Sequence, residues 1–180
     1  RSVIYDSKIK TWISPFLMAG INTKIVRRSN ALSNYNYGKE FKYDEAVMTG
    51  TGFKGRLKGI ILSIPLIFLS AKPGSLFNKI FNFLSPKPGK GPNKKERESG
   101  YFSLRFYVFQ ENNDFSIYKV TGDKDPGYGS TSKMLAESAV CLAKDELNNN
   151  FGILTPSIAM SDSLLDRLVS KAGLKFSKIK

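Results

Sequence analysis

The chain has 180 residues, with 28 Lys and Arg against 15 Asp and Glu, a formal charge of +13, one cysteine and no histidine. That length suits one domain with a hydrophobic core, and the charge favours an anionic neighbour such as lipid headgroups, nucleic acid or a phosphorylated substrate. Without histidine, Ser-His-Asp and Cys-His catalysis and His-based zinc sites are excluded within the chain, so proton transfer falls to Tyr, Lys, Asp or Glu. The lone Cys141 cannot form an intrachain disulfide and reads as a buried structural thiol in a reducing, cytoplasmic setting.

No Met stands at position 1 and no apolar core follows Arg1, so no signal peptide is read, and the chain is expected to begin inside a longer polypeptide. In "WISPFLMAGINTKIVRRSNAL" the residues Leu17, Ile21 and Ile25 recur at helical spacing, which predicts a helix from about Pro15 to Leu32 that ends at "SNYNYG". Arg27 and Arg28 near its end suit the helix dipole, or one of them binds a substrate carboxylate or phosphate.

From Ala46 to Lys95 there is no acidic residue, while Lys54, Arg56, Lys58, Lys72, Lys79, Lys87, Lys90, Lys94 and Lys95 are basic. Within this segment "GIILSIPLIFLSA" is apolar but too short to cross a bilayer, which needs roughly 20 apolar residues. After the "KPG" break, "SLFNKIFNFL" places Leu76, Phe77, Ile80, Phe81 and Leu84 on one face. Residues 53–84 therefore read as an apolar, basic helical hairpin with two possible uses. It anchors the protein to a membrane surface through Lys54, Arg56, Lys58, Leu66, Phe68, Phe77 and Phe81, or it packs on the chain itself or on a sister subunit. "SPKPGKGPNKKERESG", residues 85–100, is expected to be an exposed loop; it lacks interleaved aromatics, so nucleic acid is not the expected partner.

The pattern then changes to period two. "YFSLRFYVFQ" alternates as a strand, "ENND" turns, and "FSIYKVTG" returns as its antiparallel partner. Beyond the loop, Leu135, Ala136, Ala139, Leu142, Ala143 and Leu147 predict an amphipathic helix from about Ser130 to Asn148, capped by Ser130 or Thr131. "FGILTPSIAM" reads as a short strand or extended segment, "SDSLLDRLVSKAG" as a helix opened by Ser161 or Asp162, and "LKFSKI" as a last strand. The order predicts an α+β fold, a mixed or antiparallel sheet with helices on one face.

The loop "GDKDPGYGSTSKM", residues 122–134, has the glycines of a phosphate cradle but neither of the familiar spacings. A Walker loop from Gly122 needs Lys and Ser or Thr after Gly127, where Tyr128 and Gly129 stand. A dinucleotide fingerprint from Gly127 and Gly129 needs a third glycine where Ser132 stands. The loop is thus either a helix-capping turn whose aspartates satisfy backbone N–H groups, or a site. As a site, Asp123, Asp125, Gly127 and Gly129 would face substrate, Tyr128 would donate a proton and Lys133 would stabilise negative charge.

The segments "INTKIVRRSNAL", "TGTGFKGRLKG", "VTGDKDPGYGSTSKMLAESAVCLA", "GILTPSIAM" and "LLDRLVSKAGLKFS" together resemble the C-terminal part of the saccharopine dehydrogenase-like oxidoreductases. This group includes trans-acting enoyl reductases and relatives found on lipid droplets. The resemblance implies that residues 1–180 form the second, substrate and oligomerisation domain of a Rossmann-type two-domain reductase, with a hairpin and α/β part over residues 101–180. It also implies an N-terminal domain, absent from these residues, that binds NAD(P), and no metal. A lipid-like enoyl or acyl substrate, a homodimer, and a peripheral membrane or lipid-droplet location are further implications. The alternative is a non-catalytic module for surface binding or dimerisation.

Overall fold

A computed structural model describes residues 2–69, 74–76, 79, 83, 89–110, 114–147 and 151–180. The chain is α+β and divides into two compact units, Arg1–Lys90 and Gly91–Lys180. In place of one sheet, each unit holds a three-stranded antiparallel sheet, in the order β1-β2-β3 and β4-β5-β6.

In the first unit, β1 (Ile4–Asp6) and β2 (Thr11–Pro15) form a hairpin. The Asp6 carboxylate accepts from the N–H groups of Lys8 and Ile9 at 2.9 and 3.2 Å and so shapes the turn. The other neighbour of β2 is β3 (Ala46–Gly50), with an irregularity between Trp12 and Ile13. Helix α1 (Ala19–Leu32) starts later than the sequence suggests, because "TWISP" is drawn into the sheet as β2. The Leu17, Ile21 and Ile25 stripe is exposed, and the residues that α1 buries are Ser29 and Asn30. Asn30 organises the turn that follows: its amide donates to the Gly38 carbonyl at 2.9 Å and its side-chain oxygen accepts from the Tyr37 N–H at 2.9 Å. The "SNYNYG" stop is thereby explained.

Helix α2 (Gly52–Leu69) carries the predicted first arm of the apolar hairpin. It meets the sheet through its smallest residues. A Cβ at Gly55 would overlap the Gly50 carbonyl, and one at Gly59 would sit 2.8 Å from Val3 Cγ1 and 3.3 Å from Thr49 Oγ1. These two positions must therefore stay bare for the helix to lie this close to β3. Most of the second arm, including Phe77 and Phe81, and residues 85–88 of the linker lie outside the described residues.

The rest of the linker is not a plain loop. Residues Lys94–Ser99 form a short helix, α3, opened by a capping box in which the Asn93 side chain accepts from the Glu96 N–H at 2.9 Å and the Asn93 N–H donates to the Glu96 carboxylate at 2.7 Å. In the second unit β4 (Phe102–Phe109) and β5 (Phe115–Gly122) pair in full register from Phe102 with Gly122 to Phe109 with Phe115, as alternation predicts. The last strand, β6 (Leu174–Lys178), adds to β5.

Helix α4 (Gly129–Lys144) lies where the sequence puts it but shows a different face inward. Leu135 and Leu142 are exposed, while Ser130 and Cys141 are fully buried. Helix α5 (Pro156–Ser170) takes up the second half of "FGILTPSIAM", expected as a short strand or extended segment, while residues 151–155 stay outside helix and sheet: Thr155 is its N-cap and Pro156 enters its first turn, where a missing N–H costs nothing. Ser161, read as a helix start, is a break inside α5 with φ 43 and ψ −128. The core of this unit lies between α4 and α5, where Cys141, Met160 and Leu164 are buried and Leu147, Ala159 and Leu168 pack around them.

The close approach at α2 gives a direct test. Gly59→Val is expected to destabilise the fold by about 1–3 kcal/mol in urea titration, the usual cost of forcing methyl groups into a packed contact. Gly20→Ala, where a Cβ meets nothing within 4 Å, is expected to be neutral or stabilising.

Candidate functional site

The junction between β5 and α4 is organised by one side chain. The Asp125 carboxylate accepts from three backbone N–H groups: Gly127 at 3.1 Å, Tyr128 at 2.9 Å and Gly129 at 2.6 Å. Those bonds, Gly129 first, hold its carboxyl below the ordinary range. The Asp125 backbone is tied as well, its N–H donating to the Arg97 carbonyl at 3.2 Å and its carbonyl accepting from the Ser130 N–H at 2.8 Å. Glycine is needed at 129 because a Cβ there would lie 2.8 Å from Lys124 Cβ, 2.9 Å from Asp125 Oδ2 and 3.0 Å from the Arg97 carbonyl.

This arrangement explains the glycine-rich loop. N–H groups that would cradle a phosphate already face an anion, and that anion is the chain's own carboxylate. The N-cap position belongs to Tyr128, whose side chain makes no capping bond. Ser130 and Thr131, expected to cap, instead donate from their hydroxyls to the carbonyls of Lys124 and Pro126. Asp125 does the capping from outside the helix.

Asp123 has a different partner. The Lys133 ammonium, one turn into α4, donates to both Asp123 oxygens at 2.9 and 3.0 Å, and this bond chiefly holds the Asp123 carboxyl below its usual range. A Cβ at Gly173, whose φ is +76, would overlap that carboxylate, so the residue before β6 must be glycine for two reasons at once. Beside the pair lies a cleft of about 280 Å³ lined by Lys94, Arg97, Glu98, Lys124, Gly129, Ser132 and Lys133. Tyr128 is 56% exposed, and its ring lies against Gly91, where a Cβ would stand 3.1 Å from Cε2.

The structure thus brings Asp123, Asp125, Gly127, Tyr128, Gly129 and Lys133 into one junction of the second unit. Arg27 and Arg28 belong to the first unit, exposed on α1. Lys54, Arg56 and Lys58 are exposed on the first turns of α2, Leu66 is half-buried further along it, and the Phe68 side chain lies outside the described residues. Among the described residues no group of acidic, His or Cys side chains could hold a metal ion.

Comparison with known proteins bears on this junction and on the rest of the chain. Over 167 residues the chain is 36% identical to the trans-acting enoyl reductase of Mycobacterium ulcerans, and over 168 residues 36% identical to that of Mycobacterium bovis. A Mycobacterium tuberculosis protein provisionally given the same name is 34% identical over 167 residues. The chain is a relative of the trans-acting enoyl reductases. Each match covers 87% of this chain and 39% of the relative, so the chain spans about two fifths of the length of these curated relatives. No family model and no solved structure matches it.

Alongside the loop, this enoyl reductase relative holds a charged cluster that sequence reading missed. The Arg167 guanidinium on α5 grips Asp145, just past α4, with two bonds of 2.5 and 2.6 Å and donates to Glu137 on α4 at 3.0 Å. All three side chains are mostly covered, so the planar fork of arginine fixes the angle between the helices. The Cys141 thiol lies beneath: burial pushes its pKa up, and a bond to Asp145 adds to this, which makes it a poor nucleophile. Arg167 and Asp145 are 22 residues apart, and no short motif signals such a pairing.

The Asp145 carboxyl is lowered from 3.8 to about 2, chiefly by the bond from Arg167. Because the folded state favours the ionised form, this stabilisation is complete above the unfolded value near 3.8 and is lost as pH falls toward 2. Urea unfolding across that window is expected to show a falling midpoint for the wild type. In Asp145→Asn the midpoint should start lower and fall less steeply.

Proposed function

We propose that the chain supplies the substrate-side, membrane-facing part of a nicotinamide-dependent, saccharopine dehydrogenase-like reductase acting on a lipid-like enoyl or acyl substrate. What carries the reading is the similarity to trans-acting enoyl reductases along 87% of the chain. The cleft beside Lys133 at the start of α4 supports it, since reduction of a carbonyl-conjugated double bond places negative charge on the carbonyl oxygen and an ammonium at that oxygen stabilises it. The Tyr128 phenol, more than half exposed, is available to return a proton.

The junction does not fit the pyrophosphate of NAD(P), because Asp125 occupies the three N–H groups of the glycine turn. We therefore assign cofactor binding to a Rossmann-type domain of the native polypeptide outside these residues, in keeping with the greater length of the relatives. A second reading, a non-catalytic surface or dimerisation module at a membrane or lipid-droplet surface, is favoured by the same saturation of the loop by its own carboxylate.

Turnover of an enoyl thioester by the native protein, followed as NADPH oxidation, separates the two. If Lys133 stabilises developing charge, Lys133→Met is expected to lower kcat roughly 100-fold, Lys133→Arg to recover part of it, and Asp123→Asn to leave most of it. Equal, small losses in Lys133→Met and Asp123→Asn would reduce the pair to a structural tie and favour the second reading.

A further inference from the structure

The outer face of α2 has a composition that the sheet beneath it does not require. Gly55 and Gly59 lie against β3 and Val3, and a set of bulky side chains lies on the opposite side of the helix. Phe53 is 77% exposed, and Leu57, Ile60, Ile61 and Ile64 are all exposed too. At roughly 100° per residue these five fall within an arc of about 100° on the side opposite the glycines. Lys54 and Lys58 flank one edge of the arc and are exposed, while on the other edge Arg56 is held over the Trp12 ring at 5.5 Å.

We infer that α2 is the membrane contact, lying flat on an anionic lipid surface with its glycine side on the sheet and its bulky side in the boundary between headgroups and acyl chains. This names the partner for the membrane-facing part of the reading above, on which it rests.

Charge selects the occupant. The first unit, Arg1–Lys90, carries fifteen basic and four acidic residues, whereas Gly91–Lys180 carries thirteen and eleven. A second copy docked on α2 would bring the same excess of positive charge against itself. A protein interface also needs a rim that both gives and accepts hydrogen bonds. From Gly52 to Leu69 no Asp, Glu, Asn or Gln occurs, and the hydroxyl of Ser63 is turned back to the Ile60 carbonyl at 2.8 Å. An apolar arc with a purely cationic rim matches a plane of phosphates over hydrocarbon, with the lysine stems lying along the apolar surface and their heads in the phosphate layer. Among the described residues no helix is long and apolar enough to span a membrane.

The test is co-sedimentation of the chain with phosphatidylcholine vesicles, with and without phosphatidylglycerol, at low and high salt. Binding is expected to require phosphatidylglycerol and to weaken with salt. Leu57→Asp with Ile61→Asp should abolish binding, and Lys54→Glu with Lys58→Glu should weaken it roughly tenfold or more. All four positions are exposed, so circular dichroism and urea midpoints should be unchanged. Absence of wild-type binding to phosphatidylglycerol vesicles, or unchanged binding by Leu57→Asp with Ile61→Asp, would overturn the inference. So would a wild-type dimer that this variant converts to monomer, since the face would then belong to a second copy. The reductase reading fails separately: it falls if the native protein does not reduce a short, water-soluble enoyl thioester, a reaction that the outer-face variant should still support.

Discussion

The Asp125 carboxylate is the constraint around which the second unit is arranged. The first N–H groups of a helix have no partner inside it, and here Asp125, just ahead of the helix, takes Gly129 with its carboxylate and Ser130 with its carbonyl, while the same carboxylate also holds the N–H groups of Gly127 and Tyr128 in the loop. Because its own backbone also bonds to Arg97 and Ser130, the end of α3, the loop and the first turn of α4 are fixed by the same residue. Crowding follows. Glycine is required at 129 by Asp125 Oδ2 and the Arg97 carbonyl, at 100 by the Asp125 main chain, and at 173 by Asp123. The glycines of "DPGYG" serve carboxylates supplied by the chain, which is why the loop looks like an anion site in composition and departs from one in spacing.

This arrangement also limits the chemistry. Lys133 approaches the cleft with its charge already shared with Asp123, so any substrate oxygen would compete with a carboxylate held below its usual pKa. An ammonium bound this way is better placed than a free lysine and less available than one. On the proposed reading, positioning would come at the expense of field strength, and a substrate would gain from Lys133 only where its own charge grew during reaction, which is the condition for catalysis rather than tight binding.

What the sequence made legible follows from the range of the forces involved. Strands β4 and β5 were readable to the residue because alternation and a short turn are local. Strands β1 and β3, three and five residues long, are too short to carry a pattern. The face of α4 was misread because its leucines outweigh its small residues in hydropathy, whereas Ser130 and Cys141 are the ones that fit against neighbouring elements. The capping box of α3 was readable from Asn93 and Glu96 but was masked by a basic, Pro- and Gly-rich context. At the candidate site, the loop and its residues were found by composition, while the partner of each aspartate was decided by geometry. The Arg167 cluster, built over distances of 22 and 30 residues, had no local signature.

Helix α2 joins these themes. Glycine lowers helix propensity, and two glycines four residues apart inside an 18-residue helix would weaken it if isolated. They persist where the backbone must approach a sheet closely, as Gly55 and Gly59 do, and a helix that meets its sheet through glycines can carry its large residues on the other side. In an ordinary amphipathic helix the apolar face is the buried one. Here glycines meet the sheet while Phe53, Leu57, Ile60, Ile61 and Ile64 are exposed, so these side chains add little to the core of their own unit. Acidic residues are missing from the same stretch and the positive charge is gathered in the same unit, and it is this combination, on the inference drawn above, that would suit a surface offering hydrocarbon and phosphate together.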